Sequence, residues 1–198
     1  MRKKKKEILT TADLVLLSLL AERPMHGYQA NAELERREIR DWAAISRPQV
    51  YYSLQKLARA RMLRQVQHGE ESGGPEKQSF TVTKAGLTAL ANALERDDWC
   101  TRREKPPFLT WMALSWQARK GVFERQLRKR QEFLENELAR ERATLRGVLE
   151  EVGHPYHEAV WMVKLMIAQF ETELKWITQL PGEKKRRGRA KFPALVEP

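Results

Sequence analysis

The side chains best suited to chemistry lie on one short stretch. Ser46-Arg47-Pro48-Gln49 has the form of a helix capping box with proline in the first turn, so a helix is expected to start there. Val50, Leu54 and Leu57 then recur at the spacing of one buried face, and the aliphatic stem of Arg61 continues the stripe. The opposite face presents Pro48, Tyr52, Gln55 and Arg59, flanked by Gln49 and Lys56, with Arg47 at its head. Glutamine and arginine pair with base edges in the major groove of duplex DNA, lysine suits phosphate, and tyrosine serves phosphate or a thymine methyl. The bland reading is a solvated helix face, and for Gln49 a side chain engaged in the cap. Tyr28 and Tyr51 have two open readings, as hydroxyl donors to phosphate or as packing residues with a wet end.

No other chemistry competes strongly. There is no phosphate-cradling glycine loop, nucleophile elbow or metal-ligand cluster, so no catalytic residue, metal or cofactor is expected, and no enzyme. His26 is expected to cap or orient a helix, while His154 and His157 flank a proline break at the surface. The single cysteine, Cys100, rules out an intramolecular disulfide and fits a reducing cytoplasm. Arg2–Lys6 followed by Leu14–Ala21 mimics a signal peptide. Glu7 and Asp13 interrupt it, however, and Glu22-Arg23 stand where small residues should.

The formal charge of +11 points to a polyanionic partner. It is unevenly spread: +6 over residues 1–90, +1 over 91–182 and +4 over 183–198. The middle segment is balanced as a protein-contacting part should be. Arg2–Lys6 and Lys184–Lys191 would attract phosphate without regard to sequence, or simply keep the chain soluble.

Stepping outward from the reading helix, Thr11–Ala21 is predicted helical with Thr11 as its cap. A second helix is predicted over Gly27–Arg37, with Tyr28, Ala32 and Leu34 inward, and Ile39–Ile45 as a connection. Arg64–His68 and Gln78–Val82 read as strands across a Gly/Glu-rich turn, and Thr83-Lys84-Ala85-Gly86 opens another helix. Helices followed by a two-stranded hairpin are the plan of a winged helix-turn-helix. Beyond a polar stretch ending in Pro106-Pro107, a long helix is predicted over Ser115–Val152. A last helix carries Tyr156, Val160, Val163, Ile167, Phe170, Leu174 and Ile177 at alternating steps of 4 and 3, stopped by Pro181-Gly182. On a monomer this seam would be an exposed apolar stripe, which predicts a homodimer. The expected organisation is therefore a DNA-binding domain over 1–95, a linker over 96–107, a helical dimerisation arm over 108–181 and a basic tail over 182–198. The fold class is mainly α with a small β-hairpin wing.

Pro24-Met25-His26-Gly27-Tyr28, Ser46–Tyr51 with Leu54 and Leu57, and Phe80–Gly86 together resemble the PadR family of transcriptional regulators. Glu173–Ile177 is similar to the end of that family's virulence-activator-like helical domain. The resemblance covers roughly residues 10–181. It implies a dimeric winged helix on an inverted-repeat operator, usually a cytoplasmic, nucleoid-bound repressor, in some members released by a small aromatic or phenolic effector. One departure concerns the wing. Family wings often carry arginines before the second strand, where Glu76 stands here beside Glu70 and Glu71, leaving His68 and Lys77 as the wing cations. Trp99, Trp111, Trp116 and Trp161 have two readings, lining an effector pocket with Arg102, Arg103 or Lys105 meeting a carboxylate, or anchoring the arm by packing. A functional alternative is a winged-helix adaptor that binds protein rather than specific DNA.

Overall fold

The computed structural model describes residues 8–66 and 78–187 and divides the chain into two compact units, residues 1–104 and 105–198. The first unit is built around α1 (Thr11–Glu22), α2 (Gly27–Arg36), α3 (Ile39–Trp42), α4 (Arg47–Arg59) and α5 (Lys84–Leu94), with the hairpin β1 (Leu63–Val66) and β2 (Ser79–Val82) and a short α6 (Asp98–Thr101). The hairpin is antiparallel, pairing Leu63 with Val82 and Val66 with Ser79. Met25, between α1 and α2, adds a bridge to the sheet edge by exchanging hydrogen bonds of 3.1 and 2.9 Å with Phe80. This is a winged helix.

Its core is one cluster. Leu16, Leu17 and Leu20 of α1 meet Met25, Leu34, Val50, Leu57 and Leu63, all essentially buried. Each such side chain stabilises the fold by about 1.5–3 kcal/mol of apolar burial. α1 contacts α4, α5 and β2, so it is the spine on which they rest.

Several local starts differ from expectation. Thr10, not Thr11, caps α1: its hydroxyl accepts from the Asp13 N–H while the Asp13 carboxylate accepts from the Thr10 N–H. In α2, Tyr28 and Ala32 are exposed; Gly27, Ala30, Asn31 and Leu34 form the inward stripe. The phase was hard to read because glycine and asparagine occupy two of its four places. The connection Ile39–Ile45 contains the single turn α3.

The end of α4 is a Schellman motif. Met62 N–H donates to Leu57 O at 2.9 Å, Arg61 N–H donates to Ala58 O at 2.9 Å, and Arg61 takes φ 58°. Arg61 therefore lies past the helix and does not continue the apolar stripe. The next turn explains Thr83-x-x-Gly86. The Thr83 hydroxyl accepts from Gly86 N–H at 3.1 Å and donates towards the Arg61 and Met62 carbonyls. A Cβ on Gly86 would stand 2.3 Å from the Met62 carbonyl oxygen.

The second unit contains α7 (Pro107–Leu114), a 3-10 turn (Ser115–Gln117), α8 (Val122–Val152) and α9 (Glu158–Arg187). The helix predicted from Ser115 starts instead at Val122, because Gly121 takes φ 77°. α8 and α9 pack as an antiparallel hairpin turning at Gly153, which has φ 75°. α9 passes through Pro181 rather than stopping there. One proline removes only one N–H bond.

Arg130 ties the three helices together. Its guanidinium lies 5.1 Å from the ring centres of both Phe108 and Phe133, and it donates two 2.8 Å hydrogen bonds to the Glu173 carboxylate. Among the described residues no helix is long and apolar enough to cross a membrane.

Two substitutions test the turn after α4. Gly86→Ala should destabilise by about 2 kcal/mol, since the neighbour that must yield is backbone. Arg61→Gly should stabilise by up to about 1 kcal/mol by removing a left-handed Cβ. Urea unfolding midpoints check both, and equal midpoints for the three proteins would refute the geometry.

Candidate nucleic-acid interface

Helix α4 is built as its capping box requires. Gln49 N–H donates to Ser46 Oγ at 3.4 Å, and Gln49 Oε1 accepts from Ser46 N–H at 2.6 Å. Val50, Ser53, Leu54 and Leu57 are buried. Arg47, Pro48, Gln49, Tyr51, Tyr52, Gln55 and Arg59 are exposed. The structure thus brings the predicted stripe of Pro48, Tyr52, Gln55 and Arg59 onto one solvent face.

The two flanks of α4 are held differently from expectation. Lys56 is not a phosphate-seeking side chain on that face. Its Nζ lies 2.8 Å from Asp13 Oδ2, with the lysine side chain 15% exposed and the aspartate fully buried. Burial alone would raise the Asp13 pKa, but hydrogen bonds led by that from Lys56 outweigh it and hold the carboxyl below its ordinary 3.8. The signal for Asp13 was present in the sequence. It falls on the leucine stripe of α1, i, i+3, i+4 and i+7 with Leu16, Leu17 and Leu20, where an acid needs a partner.

On the other flank Tyr51 lies against α2. A Cβ on Gly27 would come within 2.4 Å of the Tyr51 ring, so glycine there permits the close approach of the two helices. His26 caps α2, its Nδ1 accepting from Gln29 N–H at 3.3 Å, and Tyr28 beside it is 73% exposed. Pro24-Met25-His26-Gly27-Tyr28 is thereby resolved into an edge bridge, a cap, a contact glycine and a solvent-facing tyrosine. Glu33 clasps α2 to the end of α1. It accepts from Arg23 at 2.7 Å, Arg36 at 3.0 Å and Arg37 at 2.9 Å, while Arg37 also reaches Glu22 at 2.6 Å. Hydrogen bonding from Arg36, then Arg37, keeps the Glu33 carboxyl low against the opposing effect of burial.

Residues 16–92 match the family described as the Transcriptional regulator PadR-like family. The N-terminal domain is PadR-like. Solved structures agree over most of the chain. Bacillus subtilis PadR in complex with operator DNA is 14% identical, with TM-score 0.69 over 86% of this chain and 97% of that one. The same protein in complex with p-coumaric acid is 14% identical, with TM-score 0.57 over 87% and 96%. The Vibrio cholerae virulence activator AphA is 18% identical, with TM-score 0.62 over 89% and 99%. At these identities the likeness is one of fold. No curated protein matches the chain by sequence.

Arg64 is an exposed cation on β1 of the PadR-like domain, opposite Thr81 in the ladder, that the sequence reading did not single out. His68 and Lys77 lie outside the described residues. The expected seam of α9 is largely internal. Val160, Val163 and Ile177 are buried in the single chain, and Ile167, Phe170 and Leu174 are half-buried. Tyr156 precedes the helix and is exposed. The hairpin partner α8 covers a stripe that the sequence suggested would stay open. The four tryptophans are divided between the two units. Trp99, in the first unit, donates from Nε1 to Ala93 O at 2.7 Å. Trp111 lies 5.4 Å from Phe108 and 5.7 Å from Phe123 between ring centres, and Trp116 and Trp161 are about half exposed. Among the described residues no three His, Cys, Asp or Glu side chains are grouped to hold a metal.

Lys56→Ala should destabilise by about 3 kcal/mol, because it leaves a buried carboxylate unpaired. A depressed Asp13 pKa contributes stability that is present above pH 3.8 and lost as pH falls through its lowered folded value. The deficit of the variant should therefore shrink in acid. Urea unfolding at pH 7 and near pH 3 tests this; a constant deficit would overturn it.

Proposed function

We propose that the chain is a homodimeric, sequence-specific transcriptional repressor that reads an inverted-repeat operator through α4. The observation that carries this reading is the exposed face of α4, where Tyr52, Gln55 and Arg59 stand opposite a buried face on a PadR-like domain. The operator complex of Bacillus subtilis PadR supports it. Gln55 and Arg59 read base edges; Tyr28, Tyr52 and Arg64 meet the backbone or a thymine methyl.

The dimer contact lies on the outer face of α9. Trp161, Leu165 and Trp176 are 53, 59 and 42% exposed and fall on one stripe, opposite the Val160, Val163 and Ile177 side that faces the chain's own core. An apolar stripe with two tryptophans fits a two-fold contact with a second copy. The half-buried Ile167, Phe170 and Leu174 border the hairpin rather than forming the contact.

DNA fragments selected by the purified protein give the operator, and its half-sites should lie about one helical turn apart. Gln55→Ala or Arg59→Ala should lose roughly 1–3 kcal/mol of discrimination between operator and random DNA. Lys56→Ala should leave the salt slope unchanged, whereas a lost phosphate contact lowers it by about 1. Leu165→Glu should convert the dimer to monomer by light scattering and abolish tight operator binding. A monomeric wild-type chain, or equal affinity for operator and random sequence, refutes the reading; a protein partner captured without DNA preference would favour an adaptor.

A phenolic effector belongs to the same proposal and is supported by the p-coumaric acid complex of Bacillus subtilis PadR. Tenfold release from operator requires about 1.4 kcal/mol of coupling between the two ligands. Tryptophan fluorescence titrated with p-coumaric acid, with and without operator, measures it. Saturable quenching with unchanged operator affinity would show binding without a switch.

A further inference from the structure

We propose that Arg47 reads a guanine in each operator half-site and that Glu35 is the positioning residue that orients it; the inference rests on the DNA-reading function proposed above. Arg47 is the first residue of α4, and the N-terminal residues of a recognition helix are those that reach base edges. Its side chain is 75% exposed, yet it is oriented, with Nη2 3.5 Å from Glu35 Oε1.

Glu35 is itself fixed. The same Oε1 accepts from Arg40 Nε at 3.0 Å. Arg40, only 19% exposed, also donates from Nη2 to Asn31 Oδ1 at 2.6 Å and from Nη1 to the Ile45 carbonyl. Buried Asn31 donates in turn to Gly27 O at 3.1 Å. The exposed guanidinium is thus the outer end of a relay rooted in α2 and in the turn that leads into α4.

The chemistry of this relay distinguishes two partners for Arg47. A phosphate contact needs only a nearby positive charge, and a carboxylate beside it works against the contact by repelling the phosphate. Guanine reading needs the planar fork held so that two N–H groups meet N7 and O6. A fixed carboxylate behind the fork supplies that orientation and lowers the rotamer entropy lost on binding. The neighbouring acid therefore opposes one role of Arg47 and assists the other.

Operator affinities of wild type, Arg47→Ala, Arg47→Lys and Glu35→Gln, measured on the selected operator and on copies with each G·C pair of a half-site replaced, test the proposal. One G·C pair should cost wild type about 10–100-fold and cost Arg47→Ala and Arg47→Lys almost nothing. Glu35→Gln keeps an oxygen for Arg40, should melt within a few degrees of wild type, and should lose several-fold of that same discrimination while binding random DNA at least as tightly. The proposal is overturned if Arg47→Ala pays the wild-type penalty at every G·C pair. It is equally overturned if Arg47→Ala weakens operator and random DNA alike, which is phosphate binding, or if Glu35→Gln keeps the full penalty. Absence of any operator preference in wild type would instead remove the DNA-reading function beneath it.

Discussion

Helix α4 is held in place by a carboxylate that water does not reach. Asp13 closes the capping box of α1 and, from inside the leucine stripe, accepts the ammonium of Lys56 on α4. A charge in that position is tolerable only with its partner, so the pair penalises any packing of α4 on α1 other than the one observed. Such a pair adds less net stability than apolar side chains of the same volume would. It supplies register between two helices whose buried faces are otherwise mainly aliphatic, and aliphatic contacts permit sliding. On the opposite flank Gly27 admits the Tyr51 ring. α4 is therefore fixed from one side by charge and from the other by shape, and its third side is left to solvent.

Much of this plan was legible in the residues themselves. Ser46 and Gln49 marked the start of α4, and Val50, Leu54 and Leu57 its inner face; each is where the pattern places it. What escaped was whatever depended on a partner distant in sequence. Lys56 sits at a position that reads as solvated until Asp13, 43 residues earlier, is known to lie beneath it. The α9 seam is a true heptad pattern. A heptad, however, says only that a face is covered, and here α8 of the same chain does the covering. Arg61 in a left-handed turn and Pro181 within a helix break local preferences, so no propensity argument reaches them. Surrounding structure outweighs a penalty of about 1 kcal/mol at Arg61 and the loss of one backbone bond at Pro181.

α9 is consequently two-sided. One side closes the hairpin, and the other carries Trp161, Leu165 and Trp176. A helix apolar on opposite faces is under-satisfied in a single chain, whereas a helix apolar on one face is complete in it. The alternation of 4 and 3 described the inner side because it is continuous. The outer side is interrupted by Ala168 and Thr172, small residues that leave room for another helix to approach.

The commitment of charges to internal pairs bears on the proposed binding of DNA. Without Arg2–Lys6, residues 7–90 carry a net charge of only +1. Several of their cations are occupied: Lys56 by Asp13, Arg23, Arg36 and Arg37 by Glu33, and Arg40 by Glu35. A nearly neutral domain sets up no broad field of its own, and the formal excess of positive charge lies in the basic stretches at 2–6 and 183–198. The face of α4 is left with a few groups that form directed bonds. Under the proposed function, long-range attraction and base reading would be carried by different parts of the same chain, and weakening one need not weaken the other. Such a division would suit the proposed regulator, which must leave random DNA readily and stay on its operator, because discrimination is the ratio of the two affinities.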